Sequence, residues 1–324
     1  MSVGPIVAEV ARTYWGDERW TSREAWRAIR QLRSNPPPAV TPDRRPLFAA
    51  ALEQSEQLFG SAAVAGPATR PLTVFYGLSQ AGRAIAAARD SSDGHPLRGH
   101  GVTANDLNDT NDAAGQFPRL KVRSQGGAST SFVRLSTILG SPLFPDGIEL
   151  RDLWAMLPEA HLHEPLTHHP HPVLLSEYPG RSEQPAFSSA PADLTVEGFP
   201  GWAQHYPDLG DAQLIPQSLE QSGRFTFFRV QLPASPEGDW GTNYRGTLVH
   251  LPAPPGHQTV MHPTLIWWAI LLAMSTLARY SPTAWASIID IDSSPYATPI
   301  EYLLDESLAA VPDLIYRALI DEHI

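Results

Sequence analysis

Apolar residues recur at helical spacing near the start of the chain. From 21 to 33 they are three and four positions apart behind a Thr-Ser start, which predicts an amphipathic helix beginning near Thr21. A proline-rich break follows, and 44–60 resumes the helical pattern. Because glycine commonly terminates helices, we expect this second helix to end at Gly60.

The next stretch, "LTVFYGLSQAGRAIAAARD" at 72–90, fits two structures. It could be the strand, turn and helix of a serine hydrolase, or one buried helix beginning near Pro71. The helix is favoured because the apolar positions fall three and four apart on one stripe. These positions are Phe75, Leu78, Ala81, Gly82 and Ile85.

The hydrolase alternative uses Ser79 as nucleophile. Gly77, Ser79 and Ala81 give G-x-S-x-A, close to the G-x-S-x-G of a nucleophile elbow. However, the preceding 70 residues show no run of strands and no HGGG-like oxyanion loop. Partners in the expected order would be Asp208 and then His250, His257 or His262.

Helical patterns return after Met261, in 262–280, 281–290 and 298–320. We expect the last of these to be kinked or broken at Pro312. The first contains an unbroken apolar run from Leu265 to Met274, much shorter than the roughly 20 residues of a membrane span. The sequence therefore predicts a buried core helix and no membrane association.

The middle of the chain has a different character. Short β-prone runs alternate with turn residues, one amphipathic helix is predicted at 148–159, and prolines and histidines dominate 160–220. The β-prone runs are 119–125, 130–137, 223–233 and 244–252.

These elements predict an α+β fold with a helical bundle formed by the N- and C-terminal helices. We expect a single domain over 1–324. It would comprise N-terminal helices (1–94), an inserted antiparallel β and Pro/His-rich loop region (95–260) and C-terminal helices (261–324).

Composition narrows the function classes. The net charge of -11 argues against a broad nucleic-acid-binding face and leaves room for a local basic groove. The absence of cysteine excludes disulfides, thiolate catalysis and Cys-type zinc sites. No basic segment followed by an apolar stretch opens the chain, so we expect a cytosolic protein.

Several strings, in order, resemble the YaaC-like family of bacterial proteins. They are "FYGLSQAGRAIAAA", "GHGVTA", "LKVRSQGGASTSFVRL", "IELRDLWAMLPEA", "HPTLIWWAILLAMSTLARYSPTAW" and "PYATPIEYLLDESLAAVPDLIY". The family pattern contains Gln80 and Arg83 and does not require serine at 79. The resemblance implies a fold organisation over roughly residues 10 to 320 and supplies no reaction.

Polar residues on apolar helices are the candidate site. An arginine near a core must be paired, so Arg83 and Arg279 either form structural ion pairs or line a pocket for a phosphate or carboxylate. Glu301, Asp305 and Glu306 are their candidate partners. The predicted polar core comprises Gln80, Arg83, His100, His262, Arg279, Glu301 and Glu306, and we expect Gln80, Arg83, His262 and Arg279 to share one cavity.

The sequence contains no complete catalytic constellation. It predicts binding of a small anionic molecule or a protein partner through a polar pocket in the bundle, without a cofactor or metal, and leaves catalysis and oligomeric state open. His100 and His262 each begin an element, where backbone capping competes with an acid-base role.

Three further patterns have structural explanations at least as good as functional ones. The histidines between His161 and His171 match no standard metal site, and Asp290 and Asp292 have the composition of a turn. An RNA-cleaving HEPN-like or nucleotide-acting protein, of the kind used in bacterial defence, is the alternative function. It would use an R-x(4–6)-H string at Arg89–His95, Arg245–His250 or Arg317–His323.

Overall fold

The computed structural model describes residues 21–90, 97–105, 107, 112–161, 173–175, 184, 186–190, 194–222, 225–232 and 241–320. The chain divides into two compact units. One consists of 20–154 and 262–322, and the other of 155–261. The fold is α+β, as the sequence predicts. None of the helices in the described part combines the length and apolar character needed to cross a membrane.

The first unit joins helices from both ends of the chain. Helix α3 packs against α2, α8 and α10, and α1 packs against α2 and α10. This confirms the expected bundle of N- and C-terminal helices. Its long helices are α1 Ser22–Ser34, α2 Arg45–Ala63, α3 Arg70–Arg89, α8 Pro263–Tyr280 and α10 Ala297–Ile320, with the shorter α9 Pro282–Ile288.

Local signals set the helix ends, with two departures from expectation. Thr21 and Glu24 form the capping box of α1. Helix α2 does not end at Gly60 but continues to Ala63, because the extra turn buries Ala62 completely. Helix α10 is not broken at Pro312: buried residues on both sides, including Val311 and Leu314, hold it against its neighbours despite the lost hydrogen bond.

Two glycines let neighbouring helices approach α3 closely. A Cβ added at Gly77 would lie 2.7 Å from the Phe59 ring of α2. One added at Gly82 would lie 2.7 Å from the Trp268 ring of α8 and 2.8 Å from Leu135. Helix α3, including Ser79, is therefore one continuous helix at the centre of the bundle, as the apolar stripe predicts.

A small antiparallel sheet belongs to this helical unit. Its strands, in the order β1-β2-β3, are β1 Val102–Ala104, β2 Lys121–Ser124 and β3 Ile148–Glu149. Helix α4, Ala113–Gln116, precedes β2. The predicted strand at 130–137 is wrong: α5, Ser131–Ile138, forms there because Phe132, Leu135 and Ser136 are buried at helical spacing.

The second unit contains a seven-stranded antiparallel sheet, within the residues described, in the order β6-β8-β5-β4-β10-β9, with β7 paired to β8. Phe187, Trp202, Tyr206 and Phe228 anchor its core. The strands are β4 Val173–Leu175, β5 Ala186–Ala190, β6 Gln213–Leu214, β7 Glu220–Ser222, β8 Phe225–Gln231, β9 Thr242–Tyr244 and β10 Thr247–His250; the helices α6 Leu150–Ala155 and α7 Phe199–Ala203 complete the fold.

A buried ion pair lies in the same unit. Glu159 has no exposed surface and accepts hydrogen bonds from the Tyr244 hydroxyl at 2.8 Å and from Arg245 Nη1 at 3.0 Å. Arg245 has the left-handed backbone angle φ of 53°, so the tight β9–β10 turn and the ion pair hold each other in place.

Candidate functional site

A cavity of about 230 Å³ opens in the helical unit, between α3, α8 and the small sheet. One wall is a single face of α8, since its residues are spaced three and four apart. No carboxylate belongs to the lining formed by the described residues. The lining consists of Phe75, His100, Gly101, Val102, Thr103, Gln125, Leu272, Ser275, Thr276, Arg279 and Tyr280.

The loop that carries His100 is fixed by its glycines. Gly99 and Gly101 have φ angles of 62° and 73°, a conformation that favours glycine. A Cβ at Gly101 would also lie 2.6 Å from Thr130 Oγ1 and 2.9 Å from the Phe132 amide nitrogen. The backbone on either side of His100 therefore tolerates little change.

Three successive carbonyl groups of this loop accept hydrogen bonds. The Gly99 carbonyl accepts from Ser131 Oγ at 2.7 Å, the His100 carbonyl from the Phe132 amide at 2.9 Å, and the Gly101 carbonyl from the Gln125 amide at 3.0 Å. These bonds tie the loop to the start of α5 and to the end of β2. The His100 side chain is thus presented to the cavity by a rigid support.

The His100 imidazole packs edge-on against Phe75, with ring centroids 5.2 Å apart, and lies 6.4 Å from the Tyr76 ring. Partial burial lowers the pKa of His100, and the positive charges of Arg279 and then Arg83 lower this pKa further. The ring is therefore predominantly neutral at pH 7, with one nitrogen able to donate and one able to accept a hydrogen bond.

Arg279 lies at the last turn of α8 and is exposed. Its guanidinium group donates hydrogen bonds to the hydroxyl groups of Tyr76 and Tyr280, and its Cζ lies 4.3 Å from the Tyr280 ring centroid. The hydrogen bond to Tyr280 is the main cause that raises the pKa of Arg279. Within the described part of the chain, no carboxylate pairs with this guanidinium group.

Gln80 and Arg83 flank the cavity without lining it. They lie one turn apart on α3, and Arg83 Nη1 donates to Gln80 Oε1 at 3.3 Å. Arg83 is exposed, yet its charge acts on His100. Gln80, Arg83, His100 and Arg279 therefore form one neighbourhood, as expected.

His262 does not join this neighbourhood. It caps the other end of α8, where its Nδ1 accepts from the Thr264 amide at 3.2 Å and its own amide donates to Ser141 Oγ at 3.1 Å. A helix of 18 residues is about 27 Å long, which separates His262 from Arg279. Burial, and to a smaller extent Arg89, lowers the pKa of His262 to about 3.

The carboxylates of α10 do not serve as partners of the two arginines. Asp305 forms an ion pair with Arg70 instead, because Arg70 begins α3 beside α10. Glu301 and Glu306 lie on the same helix, outside the cavity lining. The expected ion pairs between α10 and Arg83 or Arg279 are therefore absent from the described residues.

The hydrolase geometry is not found at Ser79. This serine is partly buried in the interior of α3, whereas a nucleophile elbow requires a tight turn between a strand and a helix. Two of its candidate partners do contact each other in the second unit, where His250 Nδ1 lies 2.9 Å from Asp208 Oδ2.

The R-x(4–6)-H strings are occupied structurally or fall partly outside the described residues. Arg317 Nε donates to Asp313 Oδ2 at 2.8 Å, and its partner His323 is not described, nor is His95 in the string that begins at Arg89. Arg245 is paired with Glu159, and its string lies on the β9–β10 hairpin rather than on a helix.

The possible metal sites have no support in the described residues. Asp290 accepts from Ser293 Oγ at 2.7 Å and from the Asp292 amide at 3.2 Å, which makes this segment a self-capped turn. Most of the histidine segment, 162–172, lies outside the described residues. No group of three or more potential metal ligands occurs where the structure is described.

Most polar lining residues escape a reading of the sequence alone. Ser275 and Thr276 sit in an otherwise apolar helix four and three residues before Arg279. This spacing places all three on one face of α8 and could have indicated a polar wall. Thr103 and Gln125 come together only through the pairing of β1 with β2, which no local pattern reveals.

Comparison with known families gives one result: the model of the YaaC-like Protein family matches residues 13–319. The chain belongs to the YaaC-like family. No curated protein and no solved structure is significantly similar to it. All lining residues of the cavity fall within four of the strings by which the chain resembles this family, although these strings are far apart in sequence.

Proposed function

We propose that this YaaC-like protein binds a small anionic molecule in the cavity beside His100 and Arg279. The observation that carries the proposal is the charge of the site. The lining contains the Arg279 guanidinium group and no carboxylate, although the chain as a whole has a net charge of -11. A positive site on an acidic protein selects anions from the surrounding solution.

The contacts of Arg279 support the same conclusion. Its guanidinium group is held by two neutral hydroxyl groups, so its charge is oriented and not neutralised. Guanidinium groups bind carboxylate and phosphate oxygens through paired hydrogen bonds. Ser275, Thr276 and Gln125 add neutral hydrogen-bonding groups around the same space.

The size and shape of the cavity favour a small molecule over a protein segment. A volume of about 230 Å³ is smaller than that of the usual drug-sized site, roughly 300–1,000 Å³. Phe75, Val102 and Leu272 provide an apolar surface beside the polar wall. The ligand is therefore a compact anion with a short apolar or ring portion.

The test is a thermal-shift screen of inorganic anions, small carboxylates and phosphate esters, followed by calorimetry on each hit. A ligand at 100 times its Kd stabilises the folded protein by about 2.7 kcal/mol, which raises Tm measurably. Arg279→Gln should weaken binding by about 10- to 100-fold, because a charged hydrogen bond contributes about 1.5–3 kcal/mol.

Arg27→Gln is the matched control. Arg27 is exposed on α1 and does not line the cavity, and the substitution removes the same charge. Equal affinity of the wild type and the Arg279 variant, or an equal loss in both variants, would contradict binding at this site.

A further inference from the structure

The charged groups around His100 define a second property of the cavity. Helix α3 contributes Arg83 and helix α8 contributes Arg279, and both charges act on the imidazole. Tyr76 faces the ring from α3, and Tyr280 belongs to the same cavity wall as Arg279.

The remaining elements next to the loop add no negative charge to the lining. The end of β2 contributes the neutral Gln125. On α5, Arg134 is paired with Asp90, and on the His100 loop itself Arg98 is exposed. Two guanidinium charges therefore act on a neutral imidazole without a compensating carboxylate in the cavity.

An anion with two negative charges matches this arrangement. It would offset both guanidinium charges, and its oxygens would accept a hydrogen bond from a protonated imidazole. Resting on the proposed function, we propose that the cavity binds a dianion of the sulfate or phosphate-ester type and that His100 takes up one proton from solvent as the dianion binds. No covalent bond forms or breaks in this step.

The sign of the pH dependence follows from this linkage. In the free protein the pKa of His100 is lowered, and the bound dianion raises this pKa because it stabilises the imidazolium ion. Affinity is constant above the pKa of the complex. It then increases by up to about tenfold per unit as the pH falls towards the pKa of the free protein, and is constant again below that value.

Sulfate is the suitable probe, because it carries two charges and does not titrate between about pH 6 and pH 8, in contrast to phosphate. Calorimetric titrations in buffers of different ionisation enthalpy measure the protons taken up per sulfate bound. We expect an uptake of up to one proton, and stronger binding of sulfate than of the monoanion nitrate by about tenfold or more.

His100→Gln should abolish the proton uptake and the pH dependence while retaining sulfate binding at about pH 8 within a few-fold. His205→Gln, which changes an exposed histidine of the second unit, is the control and should leave both unchanged. NMR titration of the His100 imidazole in the wild-type protein, with and without sulfate, tests the same point without a substitution.

The outcomes separate this inference from the proposed function. If neither sulfate nor any other anion binds the wild type, the proposed function fails and this inference fails with it. If sulfate binds without proton uptake, if uptake persists in the His100 variant, or if nitrate binds equally well, the proton-coupled dianion site is overturned while anion binding stands.

Discussion

The histidine that caps α8 should make folding sensitive to mild acid. His262 Nδ1 accepts a hydrogen bond from the Thr264 amide, which only the neutral imidazole can do. Its pKa falls from the ordinary value of 6.5 to about 3, chiefly because it is buried. The unfolded chain therefore binds this proton at a higher pH than the folded protein does.

The size of the effect follows from the two pKa values. Above about pH 6.5 His262 is neutral in both states and stability is at its full value; as the pH falls towards about 3 the unfolded state is favoured progressively. Each pH unit in this window costs about 1.4 kcal/mol. Between neutral pH and pH 5, about 1.5 units below the unfolded pKa, the loss is about 2 kcal/mol.

The assay compares wild-type protein with His262→Asn by urea unfolding from pH 7.5 to 5, followed by fluorescence of the nine tryptophans. Asparagine can cap the helix and does not titrate. We expect similar stability at pH 7.5 and an advantage of about 2 kcal/mol for the variant at pH 5. Parallel curves of unfolding free energy against pH for the two proteins would refute the reasoning.

Two other predictions concern packing and buried charge. Gly82→Ala should cost about 1–3 kcal/mol through overpacking against Trp268, less the roughly 1 kcal/mol that alanine gains in a helix. Gly60→Ala, which meets no atom within 4 Å, should show only the gain; equal denaturation midpoints for both variants would contradict the close contact. Glu159→Ala should lower the free energy of unfolding by about 3–5 kcal/mol, measured in urea, because it leaves Arg245 buried without this carboxylate. Adding Arg245→Met should recover part of the loss, and a further loss in the double variant would be inconsistent with a buried charge penalty.

The helical part of the fold could be predicted because its signals are local. The capping residues at Thr21, the apolar stripe of α3 and the proline that opens α8 each lie within a few positions of the structure they determine. The errors arose where tertiary burial outweighed a local preference. Residues 130–137 are β-prone in composition, yet burial of Phe132 and Leu135 on one side makes them a helix.

The site was predicted only in part, for the same reason. Gln80, Arg83, His100 and Arg279 stand out as polar residues in apolar or glycine-rich surroundings, and the structure brings them together. His262 stands out equally, but its place at the far end of α8 follows from helix length. The ion pair of Asp305 with Arg70 depends on how α10 packs against α3, which the sequence does not reveal.

The burial of α8 has a consequence for how this site can respond to its ligand. From Pro263 to Met274 every residue of the helix is buried, and only the last turns reach the surface. The helix cannot slide or rotate without disturbing the whole core. Preorganisation therefore replaces induced fit on this wall, so the ordering cost of binding is already met during folding and a compact anion can be held with few contacts.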